Sequence, residues 1–130
     1  GSTDGILKTA FYTQNGQTDY SILLEFKNTK DFKNTKKKAE VILQAICYLK
    51  VHKSTRQRAL PRVVFFANKF SCFVLPVSIL LPYVSRHIEG VYSASTAYQK
   101  KENEQILKDI EDDLIINNNG KLKSRILLLH

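Results

Sequence analysis

Several features that define other protein classes are missing from this chain. It has no run of about 18 apolar residues, which a membrane span would need, and its N-terminus lacks the basic and apolar regions of a signal peptide. We therefore expect a cytoplasmic protein with no membrane partner. Cys47 and Cys72 are the only cysteines and stand in apolar runs without Cys or His at ligand spacing, which predicts buried free thiols. The three histidines are scattered and form no cluster.

The length of the chain limits the number of domains. With 130 residues, of which 43% are hydrophobic and 25% charged, the chain can bury one core but not two. We therefore treat residues 1–130 as a single domain. Gly1 and Ser2 resemble a cloning scar, and the chain enters a predicted strand almost at once, so we expect a fragment of a larger protein.

The positive charge is concentrated in one third of the sequence. The whole chain carries +8, whereas residues 27–62 contain eleven basic and two acidic residues, a net +9, and the remainder carries −1. A basic segment of this kind is typical of a phosphate-binding surface, although a lysine run is also common on a solvated face. The candidate phosphate contacts are Lys30, Lys33, Lys36, Lys37, Lys38, Lys53, Arg56 and Arg58.

The first half of the chain predicts a hairpin followed by a helix. Residues 5–14 and 19–27 are β-prone and flank Asn15-Gly16, a pair that favours a tight turn between antiparallel strands. Residues 36–51 then predict a helix of about four turns with Thr35 as its N-cap. A basic loop is expected to follow over residues 52–60.

The second half predicts another hairpin and more helix. Two short apolar runs flank Asn68-Lys69, which suggests a hairpin at the centre of a sheet. The expected elements are strands over 62–67 and 71–75, a short helix over 78–84, a loop over 87–98 and a helix over 101–114. This order predicts an α/β (α+β) fold with a mixed central β-sheet flanked by helices.

Charged residues at the end of the first hairpin form the candidate site. Glu25 and Lys27 end an apolar strand two positions apart and so share one face, although charged residues at strand ends are common. A divalent metal would need a second carboxylate nearby. Asp19 is about 20 Å from Glu25 along the same strand, which is too far for the two carboxylates to share an ion. A two-residue turn instead pairs Gln14 with Gln17 and places Asp4 opposite Lys27, on the face of Glu25, whereas a slip of one residue would separate them.

Such a cluster has a definite chemistry. Asp4 and Glu25 would bind one or two Mg²⁺ ions, with Mn²⁺ as a substitute, and Lys27 would orient a water or stabilise negative charge in the transition state. Gln44 and Tyr48 lie one turn apart on the following helix and could reach the same site. The alternative for this pair is a polar residue at the edge of the core beside a partly buried tyrosine.

These residues resemble a known family. Asp4, the hairpin, Glu25-Phe26-Lys27 and the Gln44-x-x-x-Tyr48 spacing are similar to the PD-(D/E)xK nuclease superfamily, in its RecB-like branch, over residues 3–50. Thr3 stands where the family usually has proline. The resemblance implies a restriction-endonuclease-like core, Mg²⁺-dependent hydrolysis of DNA, catalytic roles for the residues just named, and a further helix ahead of Asp4.

A narrower resemblance covers part of the second half. Residues 62–76 and 92–98, with the acidic helix, are similar to the N-terminal region of type IIG restriction–modification enzymes. This resemblance implies methyltransferase and target-recognition domains in the full-length chain. They are not expected within residues 1–130, because neither a glycine-rich cofactor loop nor an Asn-Pro-Pro-Tyr motif occurs here. Cleavage of both strands generally needs two active sites, so dimerisation on DNA is compatible with this interpretation. Two alternatives remain: a stand-alone RecB-like repair or phage nuclease, and a nuclease-like module that only binds DNA or a protein.

Overall fold

A computed structural model describes most of the chain. The described residues are 6–14, 17–26, 34–56, 60–116 and 127–129, with side chains over 34–54 and 60–113. They form a mixed α+β structure, which confirms the predicted class, and no helix among them is long and apolar enough to cross a membrane.

One five-stranded sheet follows the order of the sequence. Its strands are β1 (Ile6–Gln14), β2 (Gln17–Phe26), β3 (Val63–Ala67), β4 (Cys72–Pro76) and β5 (Leu127–Leu129). β2 and β3 are parallel, whereas the other neighbouring pairs are antiparallel. The sheet is therefore mixed, as predicted, with β3 at its centre. The strand β5 was not predicted.

A long helix, α1 (Thr35–Arg56), makes the crossover between the two parallel strands. The Asn34 side-chain oxygen accepts a hydrogen bond from the Lys37 backbone N–H at 3.0 Å, so Asn34 is the N-cap and the prediction of Thr35 was wrong. The helix also continues beyond residue 51, where a loop was predicted. Residues 35–56 contain no Gly or Pro that would stop the helix.

The helix α1 forms the centre of the core. All side chains from Ala39 to Cys47 are buried, which is typical of a helix enclosed on every side. It contacts β2 on one side and α2 (Leu81–Val84) and α3 (Glu104–Ile110) on others. Among the described side chains of the sheet, those that join the core are Val64, Phe66, Phe73 and Leu75. Cys47 is buried as predicted, whereas Cys72 is partly exposed, and the two cysteines form no disulfide.

The remaining segments are short helices that pack against α1. The predicted helix 78–84 is divided into a 3₁₀ turn, Val77–Ile79, and α2, and the predicted loop 87–98 contains a 3₁₀ helix, Ala94–Gln99. The predicted helix 101–114 begins as a 3₁₀ turn, continues as α3 and ends in a π-helical segment, Glu111–Ile116. These irregular ends were not predictable from apolar spacing alone.

A buried asparagine makes hydrogen bonds within the helical layer, by which we mean the short helices of residues 77–116 that pack against α1. Asn103 is 1% exposed, and its side-chain oxygen accepts the Glu89 backbone N–H at 3.0 Å. Its amide nitrogen donates to the backbone oxygens of Glu89 and Ala97, both at 2.8 Å. One side chain therefore makes three hydrogen bonds to the backbone of the loop, at Glu89 and Ala97.

Candidate functional site

The residue Glu25 lies near the edge at which the two parallel strands end. It is the last but one residue of β2, and it pairs with Ile6 on β1 and with Phe66 on β3. We call the edge formed by Phe26 and Ala67, the paired last residues of β2 and β3, the carboxyl edge. Pockets of open α/β sheets commonly bind ligands beyond such an edge.

The ladder between β1 and β2 has the register that a two-residue turn predicts. Gln14 pairs with Gln17, which confirms that prediction, and Ile6 pairs with Glu25 in the same frame. Between these pairs the ladder shifts by one residue in the middle of β1 and shifts back before the turn. The two irregularities therefore cancel, and the frame at the far end of the hairpin is preserved.

Two of the predicted catalytic residues lie outside the described residues. Asp4 precedes Ile6 by two positions, and Lys27 directly follows Phe26. The prediction that Asp4 lies opposite Lys27 falls on residues outside the described part of the chain. Their proximity to Glu25 stays a prediction.

Gln44 is the least explained polar side chain of the described core. It is 4% exposed, and its Nε2 has no hydrogen-bond partner among the described residues. An unsatisfied buried donor costs about 1–3 kcal/mol. The structure places Gln44 inside the core rather than at its edge, so its burial calls for an acceptor that the described fold does not provide. Tyr48, one turn later, is partly buried and packs against the core.

A lysine near the start of α1 lies over the sheet close to the carboxyl edge. The Nζ of Lys38 is 5.2 Å from the centre of the Phe73 ring, a cation–π arrangement. Phe73 pairs with Phe66 across β3 and β4, and their rings stack with centres 4.6 Å apart. Because Phe66 is also the β3 partner of Glu25, Lys38 is only two strands removed from Glu25.

The other predicted phosphate contacts divide between the two ends of α1. Lys36 and Lys37 are exposed in its first turn, with Lys37 Nζ 4.0 Å from a carboxylate oxygen of Glu40. Lys53 is exposed near the other end, about 24 Å from Lys37 along the helix axis. Arg56 ends α1, and its side chain lies outside the described part, as do residues Lys30, Lys33 and Arg58.

One lysine of the basic segment has a structural role. The ammonium of Lys50 donates hydrogen bonds to the backbone oxygens of Val84 at 2.8 Å and Arg86 at 2.5 Å. The Arg86 side chain in turn binds the Asp109 carboxylate at 2.8 Å. Lys50 therefore joins α1 to the helical layer, and its charge is not available to a phosphate.

Two titrating groups beside this joint are shifted in pKa. The hydrogen bond from Arg86 lowers the pKa of Asp109 below its ordinary value, and a second hydrogen bond from Gln105 acts in the same direction. Burial raises the pKa of Tyr83, whose hydroxyl also donates to the Asp113 carboxylate at 3.0 Å. Both shifts follow from contacts that hold the layer together.

A cleft of about 650 Å³ was not foreseen from the sequence. It lies between the first turns of α1 and the segment that contains α3, with Tyr98 and Leu107 in its wall. Its charged lining consists of Lys36, Glu40, Lys100, Glu104, Lys108, Glu111 and Asp112. Because these side chains come from segments distant in sequence, only an acidic stretch was visible beforehand.

The comparisons with known proteins add no relative. No family model, no curated protein and no solved structure matches the chain. Within the part of the chain that the structure describes, no group of three His, Cys, Asp or Glu side chains could hold a metal ion. The predicted ligands Asp4 and Glu25 are not among those described side chains.

Proposed function

We propose that the chain is a Mg²⁺-dependent endodeoxyribonuclease domain with a restriction-endonuclease-like core, acting on DNA in the cytoplasm. The observation that carries the proposal is the double pairing of Glu25, with Ile6 on β1 and with Phe66 on β3. This pairing supports a site near the carboxyl edge, where we propose that Asp4 and Lys27 lie beside Glu25. As part of the same proposal, the full-length protein resembles type IIG restriction–modification enzymes.

The connection through α1 supports this proposal. The helix stands between β2 and β3 in the chain and contacts β2, and Lys38 in its first turn lies over Phe73 of the sheet that carries Glu25. Gln44 then has a use for its unsatisfied Nε2, which can donate to a carboxylate or to a water at the site. A donor with no acceptor in the described fold fits a positioning residue better than a packing residue.

The donor set fits the metal. Asp4 and Glu25 offer hard carboxylate oxygens, which Mg²⁺ prefers, and the basic residues nearby are donors that do not compete as ligands. A bound ion would polarise the scissile phosphate and lower the pKa of a water molecule. Lys27 would hold that water or stabilise charge on the phosphate, and Lys36 and Lys37 would contact the DNA backbone.

Plasmid cleavage with Mg²⁺ or Mn²⁺ tests the proposal. We expect Glu25→Gln to abolish cleavage and Lys27→Met to reduce it about 100-fold or more, because each removes a charge at the reacting phosphate. The matched controls are Glu102→Gln and Lys101→Met, at exposed positions outside the site, which should cleave like wild type. The experiment should use the full-length protein.

Two results would contradict the assignment in different ways. Equal cleavage by wild type and Glu25→Gln would remove the catalytic roles. A wild-type protein that binds DNA but does not cleave it would favour the non-catalytic binding module instead.

A further inference from the structure

The turn between β3 and β4 presents an aromatic ring and a lysine to solvent. Phe70 is 83% exposed, and the Nζ of Lys69 lies 5.2 Å from the centre of its ring. Among the described residues, only Tyr92, at 78%, is a large hydrophobic side chain of comparable exposure. An exposed aromatic side chain forgoes burial, so a binding role is one explanation for it.

The turn is held in one conformation by Asn68. Its side-chain oxygen accepts hydrogen bonds from the backbone N–H of Phe70 at 2.8 Å and of Ser71 at 2.7 Å. The Asn68 backbone N–H donates to the Ser71 oxygen at 2.9 Å, which closes the hairpin. The ring of Phe70 is therefore displayed on an ordered backbone, which reduces the entropy lost when it binds a partner.

The position of this turn connects it with the candidate site. β2 and β3 are parallel, and their last residues, Phe26 and Ala67, are paired. Asn68, which follows Ala67, thus leaves the sheet at the same edge as Phe26, and adjacent strands are about 4.8 Å apart. Lys69 and Phe70 follow directly, so they lie beyond the carboxyl edge at which the proposed reaction takes place.

We infer that the β3–β4 turn is a DNA-contact element, in which Phe70 stacks on a base and Lys69 contacts a neighbouring phosphate. The inference rests on the proposed function, because DNA is the polyanion that the carboxyl edge would hold. An aromatic ring with an adjacent cation matches a nucleotide, which offers a flat π-surface beside a negative charge. Stacking beside the scissile phosphate would fix the register of the strand.

Fluorescence anisotropy without divalent ions tests the inference, with a labelled DNA duplex that ends in a single-stranded overhang, whose bases are free to stack. Phe70→Ala should weaken binding by about 5- to 150-fold, the range expected for the loss of one stacking aromatic residue. Phe70→Tyr should bind like wild type because it keeps the ring. Tyr92→Ala is the matched control and should leave affinity unchanged.

The salt dependence separates the two side chains. Affinity falls as salt rises, and Lys69→Ala should make the negative slope of log affinity against log salt shallower by about 1. Phe70→Ala should leave this slope unchanged. Lys101→Ala, at another exposed lysine, should change neither quantity. Melting temperatures of all variants should match wild type, since the changed side chains are exposed.

The outcomes distinguish this inference from the proposed function. Unchanged affinity in Phe70→Ala, while Glu25→Gln abolishes cleavage, would overturn the contact element and keep the nuclease. If Phe70→Ala lowers the affinity for DNA but the wild-type protein never cleaves DNA, the contact element stands and the nuclease proposal is overturned. A wild-type protein with no affinity for DNA would overturn both.

Discussion

The two ends of α1 use the same residue type for different purposes. At the beginning, Lys36 and Lys37 are exposed and Lys38 lies over the sheet near the carboxyl edge. Near the end, Lys50 binds the backbone oxygens of Val84 and Arg86. A count of basic residues treats these lysines alike, whereas their contacts differ. We call the end with Lys36 and Lys37 the open end and the end with Lys50 the anchored end. The open end is the part of the basic segment that adjoins the candidate site.

The largest expected effect concerns the anchored end. Lys50→Met keeps the apolar stem but removes two charge-assisted hydrogen bonds and leaves two carbonyl oxygens without this donor. We expect the free energy of unfolding to fall by about 3 kcal/mol. Urea denaturation measures the change, with Lys53→Met as the control because that side chain is exposed on the same helix. Equal stabilities of the two variants would erase the distinction between the ends.

A second change tests how far along α1 the site extends. Gln44→Leu removes a buried donor, Nε2, that has no partner among the described residues, so the free energy of unfolding should rise by about 1 kcal/mol. DNA cleavage should fall about 10-fold if Gln44 positions a group of the site. Denaturation and plasmid cleavage on the same preparation give both numbers. A less stable variant with normal cleavage would show that Gln44 serves packing alone.

A smaller effect is expected for DNA affinity. Lys37→Ala should make the negative slope of log affinity against log salt shallower by about 1, because one phosphate contact is lost. Lys53→Ala is its counterpart at the other end, about 24 Å away along the axis. We expect the larger loss of affinity for the residue near the carboxyl edge. The reverse order would move the DNA surface to the anchored end.

The smallest effect concerns pH. The Arg86 hydrogen bond lowers the pKa of Asp109, so its stabilisation is present above the ordinary carboxyl pKa and is lost as pH falls through the lowered value. In Arg86→Met the pKa of Asp109 should rise, and stability should depend less on pH on the acid side. Unfolding free energies at several acid pH values measure this, and an unchanged pH dependence would contradict the role of the pair.

Local interactions explain what the sequence could predict. The Asn15-Gly16 pair indicates a two-residue turn, which predicts the pairing of Gln14 with Gln17; the pairing of Ile6 with Glu25 also depends on two register shifts that cancel and that the sequence did not indicate. The second hairpin follows from two apolar runs with a polar turn between them. Where the elements are close in sequence, spacing was sufficient.

Long-range contacts explain what the sequence could not predict. The strand β5 pairs with β4 across more than fifty residues, and Lys50 finds its partners 34 and 36 residues away. Gln44 interrupts an apolar run, but a helix that is enclosed on all sides has no polar face from which its depth could be inferred. The end of α1 was predicted at residue 51 instead of Arg56 because the basic residues 52–56 lose the apolar pattern, although no Gly or Pro breaks the helix there.

The enclosed position of α1 also determines how the domain opens. Backbone amides between Ala39 and Cys47 belong to a helix packed between sheet and helical layer, so water reaches them only when both layers separate. Their hydrogen exchange should therefore proceed through global unfolding and report its free energy directly. We therefore expect the amides of this helix, which would also position the functional residues, to exchange more slowly than the others in the molecule.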